Sequence, residues 1–225
     1  MRKISIIGCG WLGFPLSENL KKSYTVECFS RETTKDDSVF WQADTLIISI
    51  NTKDNYLNTL QKISTLTKAS TSIILMSSTS VYREFDKEID EDVLITQVGK
   101  QKEAEDLVQN LRNKVLILRL GGLMGEDRIS GKWKSVSTFT DGPVNYIHKD
   151  DVIGIVKHLI QKNITQGLYN LVAPKHPLRS EVHAKNCKKF GLQLGSFEGE
   201  TSRLVKSTKL KDYEFIYPNP LDFWA

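Results

Sequence analysis

A glycine run near the start of the chain, Gly8-Cys9-Gly10-Trp11-Leu12-Gly13, constrains the fold more than any other feature. It follows Ile4-Ser5-Ile6-Ile7, a short apolar stretch bounded by glycines that reads as a buried strand. It precedes Pro15 to Lys22, which reads as a helix, with the proline in a first turn whose N–H groups have no intrahelical partner. In a strand-turn-helix unit the three glycines have separate tasks. The first permits the tight turn, the second lets the backbone approach a pyrophosphate, and the third lets helix pack on strand. The helix start then offers N–H groups and partial positive charge to phosphates. The bland alternative is a glycine turn that binds nothing, and the context argues against it.

The rest of the chain continues the alternation. Thr25 to Phe29 reads as a second strand, and residues 31 to 42 are polar and irregular. Thr45 to Ile50 is a third strand, apolar enough to be covered on both faces. Asn55 to Lys68 carries Leu57, Leu60, Ile63 and Leu66 at helical spacing. Ser72 to Met76 is a fourth strand running into Ser77-Ser78-Thr79-Ser80, Lys102 to Arg112 is an amphipathic helix, and Val115 to Leu120 is a fifth strand. Asp150 stands as an N-cap before Val152, Ile153 and Val156, and a last helix runs from about Ser180 to Phe190 with Gly191 as its stop. Parallel strands need crossover helices, so the pattern implies an α/β, Rossmann-type doubly wound parallel sheet. We expect residues 1–225 to form one unit, with about 138–225 supplying a small C-terminal substrate-side lobe.

Composition narrows the partners. With 40% hydrophobic and 26% charged residues the chain is an ordinary globular one. Its net charge of +4 is mild, and no basic block with interleaved aromatics suggests a nucleic acid. The apolar run after Met1-Arg2-Lys3 is too short for a signal peptide, and no stretch reaches the roughly 20 apolar residues of a membrane helix. Cys9, Cys28 and Cys187 are an odd count without paired spacing. They read as reduced thiols of a cytoplasmic protein, with neither a disulfide nor a metal site.

The kind of dinucleotide is set where the second strand ends. An acidic residue there would accept a hydrogen bond from a ribose 2′-hydroxyl. This chain has Ser30 and Arg31, one to donate to a 2′-phosphate and one to pair with it in a planar fork. NADP is therefore favoured, with NAD as the alternative through Glu27 or Glu32. Trp11 and Leu12 lie inside the turn, where Trp11 either covers the cofactor or packs on the sheet edge; Ser49, Ile50 and Asn51 should pass near the adenine ribose.

Four segments, Ser77 to Tyr82, Arg119 to Gly125, Asn145 to Asp151 and Tyr169 to Pro174, resemble landmarks of the extended short-chain dehydrogenases/reductases, the NAD-dependent epimerase/dehydratase group. Tyr217-Pro218-Asn219-Pro220-Leu221 and the glycine spacing resemble an atypical branch, the bacterial YeeZ-like proteins. The resemblance implies a carbonyl or alcohol substrate that is small and sugar-like. It also implies a tyrosine acid whose pKa, near 10 in free form, is lowered by a lysine four residues on. Aligned through Ala104-Glu105, that pair falls on Gln97 and Gln101, and none of the seven tyrosines has a lysine four positions later.

The remaining candidates each carry a plain alternative. Ser78 matches the substrate-binding serine of that group, or else it caps the strand end. Tyr82 could serve as a replacement acid, though a structural role is favoured. Tyr146 and His148 sit where open α/β sheets bind ligands, and histidine has the right pKa for proton transfer. Fixing a loop and a helix start is their commoner use. Arg119 either holds a substrate anion or pairs within the fold. Two functions follow: an oxidoreductase or epimerase-like enzyme with an unusual proton path, or a non-catalytic NADP(H)-binding sensor or partner-binding module. The sequence leaves the substrate and the oligomeric state open.

Overall fold

The structure is a computed structural model describing residues 1–30, 38–52, 55–97, 99–132 and 138–224. Along the chain come β1 (Lys3–Ile7), α1 (Gly13–Leu20), β2 (Thr25–Phe29), α2 (Ser38–Trp41), β3 (Thr45–Ile48), α3 (Tyr56–Leu66) and β4 (Ser72–Ser78). After a 3-10 turn, Thr79–Tyr82, follow β5 (Glu88–Ile89), α4 (Lys100–Leu111), β6 (Val115–Leu120), β7 (Gly122–Met124), β8 (Thr138–Asp141) and β9 (Tyr146–His148). The chain continues with α5 (Lys149–Gln161), β10 (Gly167–Leu171), α6 (Arg179–Phe190), β11 (Ser196–Glu200), β12 (Leu204–Val205) and a 3-10 turn, Pro220–Asp222.

The chain divides into two compact units. The first takes residues from Met1–Val81, Thr96–Arg119 and Ile153–Leu168. It is built on a six-stranded sheet in the order β10-β6-β4-β3-β1-β2, of which β10 opens in this unit at Gly167. β1 pairs in parallel with both β2 and β3, and β3 with β4. Side chains alternate between the two faces of a strand. Ser5 and Ile7 therefore turn one way, with Ser5 Oγ donating to the Phe40 carbonyl at 2.7 Å, while Ile4 and Ile6 turn the other. On the Ser5 face, α3 and α4 cover Leu46, Ile48, Ile73, Leu75 and Ile117 with Leu60, Ile63, Ala104 and Val108. On the opposite face α1 packs against β1 and β2. Helices on both faces make the sheet doubly wound, as the sequence pattern implied.

Some boundaries differ from expectation. β4 runs on through Ser78, so Ser77 and Ser78 belong to the strand. α4 starts at Lys100, which leaves Gln97 in the preceding bend and only Gln101 on the helix. Asp150 lies in the first turn of α5 and is not its cap. The segment read as irregular holds α2 among its described residues.

The second unit takes residues from Tyr82–Ile95, Leu120–Val152 and Tyr169–Ala225. Three short parallel pairs give it shape: β5 with β12, β7 with β9, and β8 with β11. Asn170, fully buried, ties its segments together. It accepts from the Tyr82 hydroxyl at 2.9 Å, donates its N–H to Glu91 at 3.0 Å, and donates its side-chain amide to the Lys206 carbonyl at 2.9 Å. Buried Asp151 similarly receives the N–H groups of Ile216 and Tyr217 at 2.8 and 3.0 Å, fixing the C-terminal segment.

Candidate functional site

The glycine turn lies where the sheet order reverses, with β2 on one side of β1 and β3 on the other. Ligands of open α/β sheets bind outside the strand ends at such a switch point. Gly8 has φ +100°, and a Cβ there would stand 2.1 Å from the Ser49 carbonyl oxygen, so no other residue fits. A Cβ on Gly13 would stand 2.1 Å from the Gly8 carbonyl oxygen, which is the helix-on-strand approach expected of the third glycine. Gly10 is different, because a Cβ there would meet nothing within 4 Å. Space is therefore left above the second glycine, where a pyrophosphate would lie.

The turn is held from below by backbone groups. The Phe29 carbonyl accepts from both Gly8 N–H and Cys9 N–H, at 2.9 and 3.1 Å, and Ser49 N–H donates to the Ile7 carbonyl at 2.8 Å. α1 has no side-chain cap and no acidic residue in its first turn, so its positive end is open to an anion. These features fit a dinucleotide. Leu12 is buried, Trp11, Ser30, Ser49 and Ile50 are half-buried, and Asn51 is exposed. Arg31, the residue expected to pair with a 2′-phosphate, lies outside the described residues, as does the rival Glu32.

One reading of the cysteines is corrected here. Cys9 and Cys28 form a disulfide with Cα atoms 5.5 Å apart, and only Cys187, buried, is free. Sequence spacing missed the pair because β1–β2 pairing, not proximity along the chain, brings the glycine turn beside the end of β2.

At the end of β4, Ser78 Oγ accepts from the Ser80 N–H at 3.1 Å, and among the described residues its own proton has no acceptor. Neighbouring Ser77 donates to Glu105 Oε1 at 2.5 Å. Glu105 is also the partner of Arg119, with Nη2 to Oε2 at 2.6 Å and both side chains buried. Arg119 thus pairs inside the first unit. Tyr56, buried beside Glu105, has its hydroxyl pKa pushed up to about 12, mainly by burial and then by that carboxylate.

Tyr146 and His148 belong to the second unit and Ser78 to the first. Both are buried. The Tyr146 hydroxyl accepts from Ser130 Oγ at 3.1 Å. The His148 ring lies 4.0 Å from Tyr217 and 5.4 Å from Phe223, and its Nδ1 accepts from Asp150 N–H at 3.3 Å. Burial lowers its pKa, against the opposing pull of Asp150 and Asp151, so it stays neutral at pH 7. Sequence reasoning did not find the cavity of about 340 Å³ in this unit, whose lining includes Arg83, Asp86, Thr140, Arg179, Thr201 and Arg203. Its residues come from four separated stretches, and no local motif marks them.

No family model matches the chain. It is 28% identical, over an alignment 269 positions long, to Protein YeeZ of Escherichia coli (strain K12), covering 98% of each chain. Among solved structures it is similar to a putative NAD-dependent epimerase/dehydratase from Methylobacillus flagellatus, with TM-score 0.80, 19% identity and coverage of 99% of this chain and 96% of that one. It is similar also to human epimerase family protein SDR39U1 with NADPH, with TM-score 0.74, 15% identity and coverage of 97% and 96%.

Proposed function

We propose that this chain stands in the YeeZ-like, atypical branch of the epimerase/dehydratase-type short-chain dehydrogenases/reductases, binds NADP(H) and acts as an oxidoreductase or epimerase-like protein on a small, hydroxylated, sugar-like substrate in the cytoplasm. The observation that carries the cofactor is the contrast among the three glycines. Gly8 and Gly13 have no room for a side chain, whereas Gly10 faces open space at the strand-order switch. In this reading the turn backbone from Gly8 to Gly13, including Trp11 and Leu12, and the start of α1 hold the pyrophosphate. Ser30 and Arg31 hold the 2′-phosphate, and Ser49, Ile50 and Asn51 border the adenine ribose. The nicotinamide, when bound, would exchange a hydride with substrate. NADPH on the human neighbour supports a nicotinamide cofactor, and Ser30 and Arg31 carry the preference for NADP(H).

Ser78 is the substrate-binding hydroxyl, since its proton is free to meet a carbonyl. Tyr146 and His148 shape the second unit, their polar atoms held by Ser130 and Asp150. The alternative, a non-catalytic NADP(H) sensor, draws on the same burial: Tyr82, Tyr146 and Tyr56 are all enclosed, and none presents a free phenol.

The test is titration with NADPH and NADH, read by nicotinamide fluorescence, for wild type and Arg31→Ala. The proposal expects tighter NADPH binding that falls toward the NADH level in the variant. If neither cofactor binds, the proposal is wrong. NADPH consumption with aldehydes, keto-sugars or quinones, lost in Ser78→Ala, would choose the enzyme over the sensor.

A further inference from the structure

We propose that Cys9 and Cys28 form a reversible thiol–disulfide site built into the phosphate-binding turn, and that its oxidation state sets the affinity for the dinucleotide. The second half of this rests on the cofactor reading above; the first half does not. Cys9 lies between Gly8 and Gly10, and Cys28 is the penultimate residue of β2, paired with Ile6 in the parallel register. Their Cα separation of 5.5 Å lies inside the range that a disulfide spans without backbone movement, about 4.4–6.8 Å. Both are half-buried, so a small thiol or disulfide can reach them, whereas Cys187 is buried. Burial raises the Cys187 pKa, and its Sγ points to the Gln193 carbonyl at 3.6 Å, so it does not compete.

The bridge joins the turn to the strand that supports it. Backbone bonds from Gly8 and Cys9 to the Phe29 carbonyl already hold the turn against β2, and the disulfide adds a covalent tie one residue away. Cys28 Sγ also lies 3.7 Å from the Gly13 carbonyl oxygen, at the start of α1. The bridged state is the one with the turn in binding shape, Gly8 at positive φ and open space over Gly10. Fixing a loop in its bound conformation raises affinity by removing an ordering cost. The oxidised protein should therefore bind the dinucleotide more tightly, and reduction should loosen the turn.

The chemistry balances with a small-molecule disulfide such as glutathione disulfide as oxidant. One cysteine thiolate attacks a glutathione sulfur and expels a glutathione thiolate, forming a mixed disulfide. The second cysteine thiolate then attacks the protein sulfur, closes the Cys9–Cys28 bond and expels the second glutathione. The two cysteines lose two electrons and two protons, and glutathione disulfide takes up both to become two thiols. A dithiol reductant reverses the steps.

The test uses the full chain after equilibration with glutathione disulfide or with dithiothreitol. Thiols are counted after denaturation in acid-quenched samples, and NADPH is titrated in each state. Wild type needs no substitution here, and Cys28→Ser serves as a control that cannot close the bridge. The proposal expects one thiol, from Cys187, in the oxidised sample and three in the reduced one. It expects NADPH affinity to fall about fivefold on reduction in wild type and to be insensitive to dithiothreitol in Cys28→Ser. Three thiols in the sample equilibrated with glutathione disulfide, or stable glutathione adducts without a bridge, overturn the site. A closed bridge with equal NADPH affinity in both states overturns the coupling. A closed bridge with no NADPH binding in either state overturns the cofactor reading, and the coupling with it, while the thiol count upholds the bridge.

Discussion

At the residue scale, the three glycines make opposite predictions that one pair of variants separates. Gly8→Ala places a methyl 2.1 Å from the Ser49 carbonyl oxygen at a backbone angle that L residues avoid, so the protein should lose about 2 kcal/mol or more and bind no cofactor. Gly10→Ala meets nothing in the free protein and should leave the stability unchanged within about 0.5 kcal/mol, yet abolish NADPH binding. Calorimetry and fluorescence titration on both variants check the pair; equal loss of stability would sink the distinction. Arg119→Met leaves the buried Glu105 carboxylate with Ser77 but without its cation, and should cost about 3–5 kcal/mol in urea unfolding.

His183 gives a pH prediction. It is fully buried between Phe139 and Phe197, with ring centroids at 4.7 and 5.7 Å. Burial, helped by Arg179, lowers its pKa from 6.5 to about 4. The unfolded chain therefore takes up this proton more readily than the folded one, and stability rises with pH across that interval. The contribution is complete above about pH 6.5 and is lost as pH falls toward 4, by at most about 3 kcal/mol. His183→Phe should flatten that part of the stability–pH curve. A wild-type curve that is flat from pH 7 to about 4 would refute the assignment.

At the element scale, α6 shows how far local signals carry. Gly191 was readable as its stop, and it adopts φ 61° as the left-handed C-cap while its N–H bonds back to the Cys187 carbonyl. Because no atom lies within 4 Å of a Cβ there, Gly191→Ala should cost only the conformational penalty, about 1 kcal/mol, and Gly191→Asn less. Elsewhere local signals fell short. The start of α4 at Lys100 and the continuation of β4 through Ser78 depend on what those ends pack against, and propensity does not encode that. The paired strands of the second unit are two to five residues long. Such pieces are too brief for a period of two to stand out, and they exist because partners distant in sequence supply their hydrogen bonds.

At the scale of the whole molecule, ligand linkage offers a further check on the cofactor. A dinucleotide that binds only the folded chain, present at 100 times its dissociation constant, should add about 2.7 kcal/mol. For a chain of 225 residues this raises the melting temperature by roughly 5–10 °C. NADPH should produce the shift, NADH should produce less, and Gly10→Ala should show none. A shift of equal size with both cofactors would argue against the 2′-phosphate contact assigned to Ser30 and Arg31.

The sequence by itself determined the α/β alternation, the doubly wound sheet and the glycine turn. Each of these is written in short-range patterns: apolar runs of strand length, helical spacing of leucines, and glycines where the backbone admits nothing else. Tertiary structure alone decided the Cys9–Cys28 bond, the enclosure of Arg119 by Glu105 and the packing of Tyr146 and His148. These depend on which strands lie side by side and which face of a helix is covered. Those choices minimise the free energy of the whole chain, and no stretch of a few residues contains them.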